Sequence, residues 1–333
     1  MKARITKRLA QCDEQAFRTR LLAWYDMNAR DLPWRKDHDP YRVWVSEIML
    51  QQTRVAAVIE HYHEFLRRFP TVEKLAAARE ASVLAAWSGL GYYRRARMLH
   101  AAAKVVARER GGKFPQTAAE WRELPGIGRY TAAAIASIAF GEPAAVVDGN
   151  VERVLQRIAG HVVSGEEIWD RAESLLDRSR PGDFNQAMME LGATVCTPRA
   201  PACLTCPVME QCATRGELAG TAKPAAQKKK ETHYALERRN GSVFLTRRPK
   251  DARLMAGMWE LPEIQPPADS AERLLTLKHS ITVTDYTVHV WRGPVPEESS
   301  GKWVALSKLS KLAMTGLARK ILRKVAAGSA ILY

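Results

Sequence analysis

Four of the chain's five cysteines, Cys196, Cys203, Cys206 and Cys212, fall inside residues 196–212 in the spacing Cys-x6-Cys-x2-Cys-x5-Cys. No histidine lies among them to compete for a ligand position. So dense a set of soft thiolates is a ligand set, and both a tetrahedral structural zinc and an iron–sulfur cluster accept it. Disulfides are not expected, because nothing marks the chain for an oxidising compartment. The N-terminus mixes Lys2, Arg4, Lys7 and Arg8 with short apolar stretches, which makes neither a signal peptide nor a membrane span. A cytoplasmic protein follows, with no membrane partner. Cys12, far from the others, reads as an ordinary free thiol.

The 333 residues are enough for two domains with cores of their own. From residue 14 to about 195 the pattern is helical, as in Val45, Ile48, Met49, Gln52, Val55 and Ile59, and Gly or Pro punctuates it at Phe69-Pro70, Gly111-Gly112, Phe114-Pro115 and Pro181-Gly182. Residues 214–231 offer little to bury and end on Lys228, Lys229 and Lys230, which predicts a basic linker. Beyond it, 232–236 and 242–246 flank Asn240-Gly241, the dipeptide suited to a two-residue hairpin turn. Further strands are expected at 281–291 and 303–306, with a closing helix at 309–325. The chain divides into a mainly α domain at 1–213, which includes the cysteine loop, and a smaller α+β domain at 232–333. A formal net charge of +15 demands a polyanionic partner, and nucleic acid leads, since each cation set against a phosphate releases counterions.

Three motifs in the helical part bear on chemistry. Leu124-Pro125-Gly126-Ile127-Gly128 lies between helical stretches, and its glycines permit a tight turn whose N–H groups open onto the next helix, an anion-binding end. Twenty residues on, Asp148 opens Asp148-Gly149-Asn150-Val151-Glu152-Arg153 and suits a helix N-cap. Glu47 sits in Trp44-Val45-Ser46-Glu47-Ile48-Met49-Leu50-Gln51-Gln52-Thr53, where apolar neighbours would desolvate its carboxyl and raise its pKa into the range of a general acid.

With Asp31-Leu32-Pro33-Trp34-Arg35 before it, this set resembles the MutY-type adenine DNA glycosylases of the helix-hairpin-helix, or endonuclease III, superfamily, nearly continuously from residue 30 to 212. The resemblance implies a helix-hairpin-helix glycosylase domain with a [4Fe-4S] cluster on Cys196, Cys203, Cys206 and Cys212, and a MutT-like, Nudix-fold C-terminal domain. It implies removal of adenine mispaired with 8-oxoguanine or guanine in duplex DNA by a monomeric enzyme of base excision repair, associated with the nucleoid. Carried over by position, Glu47 protonates adenine N7 and Asp148 stabilises the sugar cation, with Asn150 and Tyr130 in support. Trp34, Arg35 and Gln186 would surround the extruded base, while Gln52, Thr53, Leu90 and Tyr92 would probe the opposite base. Gly126, Gly128 and Arg199 would meet phosphates. Tyr130 stands where the bifunctional branch has a lysine, so Schiff-base strand cleavage is not expected. Gly257-Met258-Trp259-Glu260-Leu261-Pro262 resembles a loop of the MutT-like domain, without the acidic cluster of a magnesium-dependent hydrolase. Leu277-Lys278-His279 replaces the usual Phe-Ser-His and leaves His279 as the reader of 8-oxoguanine. A thymine- or pyrimidine-directed glycosylase and a non-catalytic iron–sulfur DNA-binding protein remain the alternatives; Glu47 and the second domain argue against the first, and Glu47 beside Asp148 against the second.

Overall fold

The computed structural model describes residues 13–218, 227–252, 254–267, 271–281, 283–295 and 299–329, and for 327–329 the backbone only. Lys2, Arg4, Lys7, Arg8 and Cys12 lie outside the described residues. From Glu14 to Thr194 the chain is helical, as its pattern predicts: α1 (Glu14–Asn28), α2 (Pro40–Leu50), α3 (Val55–Arg68), α4 (Val72–Ala77), α5 (Glu80–Ala86), α6 (Arg94–Arg108), α7 (Ala118–Trp121), α8 (Arg129–Phe140), α9 (Gly149–Ala159), α10 (Glu166–Leu175) and α11 (Pro181–Thr194). The chain forms two compact units, Met1–Val55 with Ala101–Ala222, and Ala56–His100 with Lys223–Tyr333.

In the first unit, local chemistry fixes the helix ends that matter for the site. Asp39 caps α2 by accepting the Arg42 N–H at 2.9 Å, with Pro40 pre-set at the first position. Eight of the eleven residues of α2 are buried, so a carboxyl on it has no watery side to turn to. The hairpin between α7 and α8 starts from a capping box of Thr117 and Glu120 and turns at Gly126, whose φ of +77° no side chain adopts cheaply. Gly128 then caps α8. Helix α9 crosses α11 so closely that a Cβ at Gly192 would lie 2.6 Å from the Cβ of Asn150.

By its contacts Ala56–His100 groups with the second unit. Polar pairs join it there: Ser88 Oγ and Tyr93 OH both donate to the Met314 carbonyl, at 2.7 and 3.0 Å, and Arg97 Nη2 donates to that of Ala256 at 2.7 Å. The strands are β1 (Lys228–Leu236), β2 (Arg238–Arg239), β3 (Ser242–Arg247), β4 (Trp259–Glu260), β5 (Glu263–Ile264), β6 (Arg273–Ile281), β7 (Thr284–Arg292) and β8 (Gly301–Ala305). They form one sheet in the order β5-β1-β7-β6 and another in the order β2-β3-β4, with β8 also on β3.

Several expectations for this part need correction. Lys228–Glu231 is not linker but the start of β1, paired in parallel with Thr284–Thr287, which sets Lys229 opposite Asp285; residues 219–226 of that linker lie outside the described residues. Asn240 and Gly241 do turn a hairpin, with φ of +45° and +67°, yet it joins β2 to β3, because the chain changes sheets after β1. The strand expected at 281–291 is the last residue of β6 followed by β7. The closing helix, α12 (Gly316–Ser329), starts seven residues late. Before it, Ala313 and Thr315 bond both backbone groups of Trp259, which holds them extended. Leu317 and Ile321 of α12 enter a core with Val243, Leu245, Val288 and Val290. Among the described residues no helix is long and apolar enough to cross a membrane.

Candidate active site

Helices α2, α8, α9 and α11 each contribute to the wall of one cavity of about 640 Å³ in the first unit. Glu47, Tyr130, Asp148, Asn150 and Gln186 all line it, together with Trp34, Arg35, Gln52, Thr53, Gly126 and Gly128. Residues from Arg30 to Ala193, far apart in the chain, thus meet around one space of the size that ligand sites occupy.

Glu47 is buried. Burial pushes its carboxyl up to about 7, reinforced by the charge of Asp148; the Tyr130 hydroxyl, donating to Oε2 at 2.8 Å, and the Arg35 charge pull the other way without cancelling it. Tyr130 is pushed well above its usual range, by burial first and then by Glu47 and Asp148, so it remains a phenol that donates. The Asp148 carboxylate is pinned at the head of α9. Its Oδ1 accepts the N–H groups of Asn150 and Val151 at 2.9 and 2.8 Å, and its Oδ2 accepts the Asn150 side-chain amide at 3.1 Å. Capping and a place in the cavity therefore coexist in one side chain. Arg153 in turn holds Asn150, donating to its Oδ1 at 2.9 Å.

Arg30, Met189 and Glu190 are among the lining residues not picked out from the sequence. Glu190 is 1% exposed and binds Arg30 through Nε at 2.6 Å and Nη2 at 2.8 Å, and Arg35 through Nη2 at 2.9 Å. Burial raises its pKa, yet the two guanidinium groups more than offset this and hold it below the usual carboxylate range. Arg35, which also lies over the Tyr25 ring, is thus anchored to Glu190 and not free to swing. Met189 places its sulfur 3.2 Å from the Tyr130 hydroxyl. The available signal was an acid in the otherwise apolar run Met188-Met189-Glu190-Leu191, one helical turn beyond Gln186.

Other sequence-derived positions lie elsewhere. Leu90, expected to intrude as a wedge, is buried in the second unit: its N–H bonds the Trp87 carbonyl and the Trp87 indole bonds that of Gly91, which folds the segment inward. Tyr92 beside it is exposed, at φ +46°, with the Arg95 guanidinium 5.3 Å from its ring. His279 is half-buried on β6, and burial followed by the nearby Lys320 charge lowers its pKa. Arg199 is exposed near the cysteines.

Cys196, Cys203, Cys206 and Cys212 line a second, small pocket of about 30 Å³ with Arg157 and Arg215. Burial, then the other three thiols, pushes Cys206 up to about 11; burial and two of its neighbours raise Cys203 as well. Arg157 Nη1 lies 3.3 Å from Cys196 Sγ. Four thiols lining one void have the chemistry of a cysteine-only metal or cluster site. Among the described residues, no group of three or more Cys, His, Asp or Glu is arranged round a single ion.

Residues 45–174 match the HhH-GPD superfamily of base excision DNA repair proteins, and residues 232–324 match the NUDIX domain. A solved structure of a thermostable thymine-DNA glycosylase is 31% identical, with a TM-score of 0.57 over 61% of this chain and 96% of its own. The chain belongs to the HhH-GPD superfamily. It is 38% identical over 347 residues to adenine DNA glycosylase of Homo sapiens, covering 84% of this chain and 62% of that one, and 52% identical over 216 residues to that of Rattus norvegicus, covering 60% and 42%. It thus spans about three-fifths of the human relative's length and about two-fifths of the rat's. An endonuclease III–DNA complex shares the fold over 61% of this chain, with a TM-score of 0.53 at 23% identity.

Proposed function

We propose that this chain is an adenine DNA glycosylase of base excision repair, which removes adenine mispaired with 8-oxoguanine or guanine from duplex DNA. One observation carries the reading: Glu47 and Asp148 line the same cavity, and Glu47 holds its proton up to about pH 7. A base inside the stack is out of reach, so the adenosine is flipped into the cavity. Glu47 gives its proton to adenine N7 as the C1′–N9 bond breaks and the bonding pair leaves with the base. The cation left on the sugar meets the carboxylate of Asp148, fixed by its three hydrogen bonds. Water then adds to C1′ and returns its proton to a carboxylate. Tyr130 lacks the amine of a Schiff-base former, so base release proceeds without strand cleavage.

Cys196, Cys203, Cys206 and Cys212 would hold a [4Fe-4S] cluster, which when bound ties residues 196–212 into one loop. Arg199 in that loop, with Gly126 and Gly128 at the hairpin, would contact phosphates; Gln52, Thr53 and Tyr92 would act at the opposite base and His279 at 8-oxoguanine. Action as a monomer in the cytoplasm accords with this reading. The test is base release from duplexes with adenine opposite 8-oxoguanine, guanine or cytosine, and with thymine opposite guanine. Release of adenine from the first two supports the reading. Release of thymine alone replaces it with that of the thymine-directed relative, and binding without release removes the enzyme assignment.

A further inference from the structure

The β5-β1-β7-β6 sheet of the second unit buries Tyr234, Val288 and Val290 with α12, while most residues of its other face are exposed or half-buried. Strand register sets four rows across that face: Lys229, Asp285 and Ser280; Glu231, Thr287 and Lys278; His233, His289 and Thr276; Ala235, Trp291 and Arg273. Apart from the buried Ala235, the residues from β1 and β6 are exposed or half-buried, as are those from β7. Three rings stand in near-parallel planes there. His233 and His289 are 5.0 Å apart at 22°, His233 and Trp291 6.0 Å apart at 21°. Arg273 lies 5.8 Å over Trp291.

Hydrogen bonds lock the row. The Trp291 indole donates to His233 Nδ1 at 3.1 Å. Thr276 Oγ1 holds His289 Nδ1 at 3.1 Å. Such a fixed set of π-faces on this sheet, where the cations Arg273, Lys278 and Lys229 outnumber the acids Glu231 and Asp285, suits a ligand that is both planar and anionic. Unpaired nucleotides answer that description: each base offers a face to stack and each phosphate a charge for a basic edge, whereas a duplex hides its bases.

We propose that this face of the sheet is a binding platform for single-stranded DNA, separate from the Glu47–Asp148 cavity and independent of the reading given for it. The experiment is fluorescence anisotropy of labelled oligothymidylate with the full chain, in an Asp148→Asn background that holds turnover off. Trp291→Ala, His289→Ala and Arg273→Ala are compared, with a mismatched duplex as the second probe. Each variant is expected to weaken single-strand binding on the order of ten-fold and leave duplex affinity and the melting temperature of His289→Ala unchanged. Single-strand affinity equal to the parent's in all three overturns the proposal, as does an equal loss for both probes. Concentration-dependent dimers in sedimentation that Trp291→Ala abolishes would assign the face to a second copy of the chain and likewise overturn it.

Discussion

Glu47 reports on its own surroundings through the pH dependence of stability. Its carboxyl moves from an ordinary 4.5 to about 7 on folding, chiefly through burial. Below about pH 4.5 both the folded and the unfolded chain keep the proton and the native state loses nothing. Between the two values the unfolded chain ionises while the folded one does not, so stability falls by about 1.4 kcal/mol per pH unit, and above about pH 7 the whole cost, about 3 kcal/mol, is present. Glu47→Gln keeps the shape and cannot ionise. The variant is therefore expected to match the parent near pH 4.5 and to exceed it by about 3 kcal/mol near pH 8, a rise of roughly 6–12 °C in the melting of the first unit. Thermal melts of both proteins at the two pH values give the answer, with loss of adenine release as the companion result. An equal shift at both pH values, or none at the higher, would show that the carboxyl is not desolvated and would refute the reasoning.

Three further outcomes follow from the same geometry. Tyr130→Phe removes the donor that favours ionised Glu47, so the alkaline limb of single-turnover base release should move up by about one pH unit, the worth of a hydrogen bond to a charge; a limb that stays or moves down contradicts the pairing. Gly192→Ala presses a methyl into Asn150, and overpacking of about 1–3 kcal/mol should slow base release while leaving duplex affinity intact, read from the same samples. The purified chain should carry about four irons and visible absorbance, both lost in Cys203→Ser; one zinc per chain would instead assign the thiols to a structural zinc.

The sequence disclosed most about positions whose neighbours in the chain are also their neighbours in space. Asp148 was legible as a cap because capping is settled within three residues, and Glu47 as a desolvated acid because its own helix is apolar. The hairpin glycines declared their turn for the same reason. Glu190 was not legible, since its partners Arg30 and Arg35 come from 160 and 155 residues away. The second unit shows the same limit more sharply. Asn240-Gly241 fixed a local turn correctly, but nothing near Glu237 signals that β1 joins a different sheet from β2 and β3, a choice decided by pairing with β7. Leu90 was placed at the opposite base by family position alone, and backbone bonds around Trp87, which local sequence does not announce, turn it into the interior.

Gln52 sits at the rim of the cavity with φ +54°, exposed to solvent, in a conformation that costs a residue with a Cβ about 1 kcal/mol. Glycine would adopt the same turn without that cost and would delete the amide at the mouth. Selection for heat resistance alone would therefore favour the smaller residue at the cost of a side chain that the proposed function uses at the opposite base, so a heat-resistant variant of this chain should be screened for what it discriminates as well as for its melting point.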